Sequence, residues 1–251
     1  MAEQDILRMD KVEKHYGLGA ANRVAALKGV SLRLEAGRIY GLVGNNGSGK
    51  TTLLRIVAGL SRPDAGSLAL FGAESEAELR RARRRLGVLV EAPNYYEDMT
   101  LLQNLRAQAL LLPREEREDL RELCALLGIT PQVARRRLRK CSLGERQRYG
   151  LASAMLGKPE LLLLDEPLNG LDPGGVVELR ELLLRLNRER GMTLLLSSHL
   201  LTELHKVATD YLFLRRGELI EAVSAEELDR RVAEQGHKDV ESYFIELNRR
   251  G

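Results

Sequence analysis

Between Gly44 and Thr51 the chain reads GNNGSGKT, and no other stretch limits its fold so tightly. Every fixed position of the pattern Gly-x-x-x-x-Gly-Lys-[Ser/Thr] is filled. The preceding run, RIYGLV, has the apolar content of a buried strand, and KTTLLRIVAGL behind it repeats apolar residues at helical spacing. A strand that turns through glycines into a helix gathers backbone N–H groups and the positive end of the helix at one point. That point suits a phosphate. Lys50 has the reach to meet terminal phosphate oxygens, and Thr51 offers a hydroxyl to magnesium. Gly44, Asn45, Asn46, Gly47, Ser48, Gly49, Lys50, Thr51 and Thr52 are therefore the expected nucleotide-binding residues.

A second run, LLLLDEPLNGLDP from Leu161 to Pro173, ends its leucines on two adjacent carboxylates. Four leucines before a turn suit a fully buried parallel strand. Acids at such a strand end either meet solvent or face a cation. These residues alone leave both readings open; beside a phosphate-binding loop the cation is the better account. Asp165 then holds magnesium, whose charge offsets the cost of burying the acids. Glu166 is placed to polarise a water against the terminal phosphate.

Around these two motifs, short apolar strands alternate with longer helical patterns, which predicts an α/β core with a mostly parallel sheet. Turn residues in EAGR and RRGE separate the early strands, and those around FLRRGELIEAV, closely enough for antiparallel hairpins. From Thr100 to Leu156 the strand signal disappears, and TLLQNLRAQALLL, REEREDLRELCALLG and LGERQRYGLASAMLG carry helical spacing instead. Thr100 and Ser142 are expected N-caps, the latter with Glu145 at capping-box spacing. A helical subdomain over about 92–157 is thus inserted in the core, and residues 224–251 read as a tail of two charged helices joined around Gly236.

Composition removes several classes of function. No apolar run approaches the ~18–20 residues that span a bilayer, and the N-terminus lacks the pattern of a signal peptide, so the expected location is cytoplasmic. The two cysteines, Cys124 and Cys141, form no metal-binding or disulfide pattern. A net charge of +3 is too small to argue for nucleic acid. The runs RRARRR and RRRLRK have no interleaved aromatics and read as solvated faces.

The segment CSLGERQRYGLA, with Ser142 lying 23 residues before Asp165, joins DEPLNGLDP and LLLSSHLLTEL to make a set more specific than any one motif. Together they resemble an ABC-type ATPase from about Arg8 to Ile220, the tail standing apart from an ATPase domain over 1–223. The resemblance implies ATP and Mg2+ as cofactors, bound between two ATPase subunits closed head to tail. It implies that Tyr16 stacks on adenine and that Ser142, Gly144 and Glu145, at a helix start, face the terminal phosphate of the partner's ATP. Asp172 would be a dimer-contact acid, and His199 would bond the terminal phosphate and the catalytic Glu166.

Two departures from the family pattern carry information. The signature, usually Leu-Ser-Gly-Gly-Gln, is Cys141-Ser142-Leu143-Gly144-Glu145 here. The loop between the lobes usually presents Gln; here Glu91 holds that position, keeping an oxygen for magnesium but exchanging a donor for a charge. VEAPNYYEDMT and SLGERQR resemble the bacitracin and lantibiotic self-protection branch of multidrug exporters. That branch implies integral membrane permease subunits as partners, meeting a groove near Glu91 to Met99, and a peripheral position on the inner face of the membrane. The exported compound would be a peptide antibiotic or other drug. A soluble ABC ATPase acting on nucleic acid or ribosomes is the alternative. It is disfavoured by the absence of coiled-coil insertions, paired ATPase domains and zinc-binding cysteines. A P-loop kinase would leave the signature and SSHLL unexplained.

Overall fold

A computed structural model describes residues 5–17, 23–91, 93–114 and 119–249. Parts of the expected elements, among them Ala92, the run 115–118 and the stretch 18–22 after Tyr16, lie outside the described residues.

Two sheets share the strands. β1 (Asp5–Tyr16), β2 (Val24–Glu35) and β4 (Ala65–Leu70) form an antiparallel sheet in the order β2-β1-β4. The larger sheet runs β5-β6-β7-β3-β8-β9, built from β3 (Ile39–Val43), β5 (Leu86–Leu89), β6 (Leu161–Asp165), β7 (Thr193–Ser198), β8 (Asp210–Arg215) and β9 (Glu218–Ser224). All its pairs are parallel except the β8–β9 hairpin. The mostly parallel core and the antiparallel subdomain expected from the strand pattern are both present.

The leucine run of β6 is explained by both faces of this sheet being covered. Successive side chains point to opposite faces. Leu161 and Leu163 join Tyr40, Leu42 and Leu195 on the face covered by α1 (Lys50–Val57) and the antiparallel sheet. Leu162 and Leu164 join Ile39, Val43, Leu194 and Leu196 on the other. There they meet the helices that follow: α3 (Leu101–Ala109), α4 (Leu120–Leu126), α5 (Pro131–Ala134), α6 (Leu143–Met155) and α7 (Pro173–Arg190). The short helix α2 (Glu76–Ala82) leads into β5.

Capping residues delimit the inserted helices. Thr100 and Ser142 both make capping boxes, with Gln103 and Glu145 as their partners. Tyr149, wholly buried in α6, meets Tyr95 edge to face at 5.8 Å, so the segment after β5 packs against α6. α8 (Leu201–Leu204), α9 (Ala225–Glu234) and α10 (Val240–Arg249) close the chain. Leu228, Val240 and Tyr243 of the last two helices are buried in the same core as Tyr211 and Phe213 of β8.

The arginine runs are partly structural. Arg85 lies over the Phe71 ring at 3.8 Å and pairs with Glu160, so the first run ties β5 to the start of β6. In the second run, Arg136 bonds Glu145 and Arg139 meets Asp98 at 3.2 Å.

Candidate active site

The phosphate loop crosses from the buried β3 to α1, and its glycines are set by close approach. A side chain at Gly49, which has φ +110, would bring its Cβ to 2.6 Å from Ala26 O. One at Gly44 would collide with Leu214 O and Ser48 Oγ. Lys50, only 6% exposed, donates to Gly44 O at 2.6 Å and Asn45 O at 3.4 Å and lies 3.7 Å from Glu166 Oε1. Its buried ammonium is thus held by the loop's own carbonyls. Among the described residues Ser48 Oγ is the buried side-chain oxygen left without a partner.

At the end of β6 the two acids separate. Asp165 Oδ2 accepts from Thr51 Oγ1 at 2.8 Å, while its other oxygen accepts from Ser197 Oγ at 2.5 Å. Glu166 adopts φ +50, a left-handed conformation that costs a non-glycine residue about 1 kcal/mol. Its N–H bonds Ser197 Oγ at 2.9 Å and Ser197 O at 3.2 Å, and its carbonyl accepts from Asn169. This twist turns the Glu166 side chain from Asp165 toward His199, whose Nδ1 lies 2.8 Å from Oε2. With Glu166 ionised, Nδ1–H is the donor in this contact.

Tyr16, Asn46, Gly47, Ser48, Gly49, Lys50, Thr51, Thr52, Glu91, Asp165 and Glu166 line one cavity of about 660 Å³. The Glu91 carboxylate there is engaged by Arg55 of α1, and the residue sits at φ +67. Asn45 instead faces a neighbouring small cavity. Ser142, Gly144, Glu145 and Asp172 line a separate hollow of about 500 Å³. Ser142 caps α6 and Asp172 caps α7, accepting from Gly175 N at 3.2 Å. The chain therefore does not bring its two groups of expected phosphate contacts together within one copy.

The donor set fits magnesium. Thr51 and Asp165 present hard oxygens side by side. That is the arrangement for an ion that takes few protein ligands and completes its shell with phosphate and water.

Ser197, Arg55 and Arg146 are the residues that sequence reasoning missed. A serine in the apolar strand LLLSS must find a partner when buried, so Ser197 carried a usable signal. Arg146, which lines the main cavity, donates to Cys141 O at 3.2 Å and to Tyr95 OH at 3.4 Å. Nothing in the local pattern marked it or Arg55. Cys141 is buried, and burial with Glu145 nearby pushes its thiol up, the reverse of a reactive thiolate.

A glycine loop at a helix start, a strand-end acid against its threonine and a second acid on a histidine define a P-loop nucleoside triphosphatase. Residues 27–169 match the family described as ABC transporter. A bacitracin transport ATP-binding protein of Bacillus licheniformis is 36% identical over 202 residues, covering 80% of this chain and 66% of that protein. Its namesake from Enterococcus faecalis is 33% identical over 231 residues, with 92% and 73% covered. A lantibiotic transport ATP-binding protein of Streptococcus pyogenes is 34% identical over 215 residues, with 86% and 89% covered. The solved ATP-binding subunit of an ABC transporter superposes with a TM-score of 0.79 at 26% identity, covering 96% of this chain and 99% of its own. A dimeric ATP-binding cassette with ADP and phosphate shares the fold, with a TM-score of 0.78 at 24% identity over 87% of this chain and 98% of its own. This chain belongs to the ABC transporter ATP-binding family. It spans about two thirds of the length of the first bacitracin relative. Among the described residues no helix is long and apolar enough to cross a membrane.

Proposed function

We propose that this chain is the ATP-hydrolysing subunit of an exporter, a translocase that acts through separate integral membrane permease subunits. The observation that carries the reading is the convergence of Lys50, the Thr51–Asp165 pair and Glu166 at one cavity, with His199 bonded to Glu166. Tyr16, 40% exposed at the cavity wall, offers its ring to adenine. Lys50 leaves the loop carbonyls to meet the terminal phosphates. Glu166, oriented by His199, accepts a proton from the attacking water. Magnesium, when bound by Thr51 and Asp165, supplies charge neutralisation for the phosphates.

Ser142, Gly144 and Glu145 act on the ATP of a second ATPase subunit, a copy of this chain or a homologue. Arg136 neutralises Glu145, so the positive start of α6 stays available to an anion. Tyr96 and Met99 present exposed apolar surface beside the main cavity, on a segment pinned by Asn104 through the Tyr96 N–H and carbonyl. A permease helix seated there would place the ATPase against the inner face of the membrane. The similarity to bacitracin and lantibiotic transport proteins points to a peptide antibiotic or related drug as cargo. Action on nucleic acid or ribosomes draws no support from these relatives.

Lys50→Ala tests the nucleotide reading. Calorimetry is expected to show loss of ATP binding with an unchanged far-ultraviolet circular dichroism spectrum; undiminished affinity refutes the reading. Permease partners are sought by isolating the tagged chain from membranes and identifying the bound polypeptides; recovery without any integral membrane protein would refute the exporter assignment.

A further inference from the structure

The phosphate loop is supported from behind by the turn between β8 and β9. Gly217 N donates to Ser48 O at 2.9 Å, and Lys28 N donates to Gly217 O at 2.8 Å. Gly217 is buried with φ +86, and a Cβ there would lie 2.8 Å from Ala26 O. Leu214 O, at the end of β8, abuts Gly44 closely enough to forbid a side chain. In packing this close, displacement of the turn is passed to the loop backbone.

The same turn is held on its other side by the last helix. Arg215 Nη1 donates to Leu247 O at 3.0 Å and to Asn248 O at 3.4 Å. These are carbonyls that a helix end leaves without intrahelical partners, and a cation there also meets the negative end of the helix dipole. α10 is anchored upstream by Phe244 stacked on Phe213 at 5.6 Å and by Tyr243 OH on Glu221 at 3.0 Å. Arg215, Asn45, Ser48 and Asn248 share the walls of one cavity of about 240 Å³, while Arg215 takes no part in lining the main one.

We propose that Arg215 is a positioning residue for nucleotide binding, tying the end of α10 to the β8–β9 turn and so fixing the phosphate loop at Ser48. The seating of the C-terminal helix then sets ATP affinity, with no contact between helix and nucleotide. The proposal rests on the loop being the ATP site, which Lys50→Ala tests separately.

The experiment is a double-mutant cycle on the full chain. Arg215→Ala is combined with a truncation that removes residues 247–251 and with them both acceptor carbonyls. Mg-ATP affinity is read by displacement of a fluorescent nucleotide, kcat and KM by phosphate release, and Gly217 N–H protection by hydrogen exchange. Arg215→Ala and the truncation are each expected to weaken ATP binding about three- to tenfold, to raise KM more than they lower kcat, and to speed exchange at Gly217. The double variant should be no weaker than either single one, and Arg215→Lys, which can still reach one carbonyl, should recover part of the loss. Wild-type affinity in Arg215→Ala overturns the proposal, as do additive losses, which would mean that Arg215 meets the nucleotide directly. If Arg215→Ala does not fold, Arg215→Lys and the truncation decide: unchanged affinity in both overturns it. Loss of binding in Lys50→Ala alone would leave the ATP site standing and remove only this inference.

Discussion

At the scale of single residues, the two glutamates with left-handed backbones behave differently. Glu166 is held by Ser197 and Asn169 with its side chain on His199, which suits the general base proposed above. Glu166→Gln is expected to keep ATP affinity and lose at least about 100-fold in kcat, since an amide cannot take the proton. Turnover near the wild-type rate would assign the base to another side chain. Glu91 is tied to Arg55 in a pair with both partners exposed, worth about 1 kcal/mol or less. Reaching a cation at Asp165 means giving up that pair. Glu91→Gln should therefore leave thermal stability almost unchanged, while the gain in ATP affinity on adding magnesium becomes smaller. Titrations with and without magnesium check this, and equal gains in the two proteins would place Glu91 outside the metal site.

At the scale of elements, helix and strand ends carry two duties at once. Ser142 caps α6 and is also expected to meet the partner's phosphate. Ser142→Ala should cost about 1 kcal/mol of stability through the lost cap. Ser142→Asp keeps the cap but adds a charge facing the phosphate, so denaturant titration should show near-native stability while ATP-dependent pairing fails. Pairing at the wild-type level would remove Ser142 from the interface. The end of β1 is pinned beside Tyr16 by Asp64, which accepts from Lys14 at 3.0 Å and from His15 N at 2.6 Å. Those bonds, Lys14 first, hold the Asp64 carboxyl at about 2, below the ordinary aspartate value of 3.8. A depressed acid stabilises the fold above its unfolded value and loses that contribution as pH falls through the folded one. The stability gap between wild type and Asp64→Asn is thus expected to be full above about pH 4 and to close toward pH 2. A gap independent of pH over that window would contradict the assignment.

At the scale of the whole molecule, the main cavity and the Ser142–Asp172 hollow belong to one chain but line separate spaces. A composite site needs a second subunit, and slow hydrolysis should trap it. With ATP and magnesium, Glu166→Gln is expected to run as a dimer in size-exclusion chromatography with light scattering, and Glu166→Gln combined with Ser142→Asp as a monomer. A monomer in both would argue that each chain works alone.

The contiguous motifs could be read from the chain because their chemistry is local. A strand, a glycine turn and a helix start over residues 44–52 give a backbone suited to a phosphate, and the leucines of β6 announce a sheet covered on both faces. Capping boxes at Thr100 and Ser142 were equally visible, since cap and partner lie three residues apart. The expected shared magnesium already put Thr51 beside Asp165, as found, but tertiary structure alone decided other meetings of distant groups: Ser197 with Asp165, Glu91 with Arg55, and Arg215 with the end of α10. Periodicity tells a residue which face it occupies, not which strand order sets its neighbour. Here β7 lies between β6 and β3, so the strand carrying Ser197 runs directly beside the one ending in Asp165.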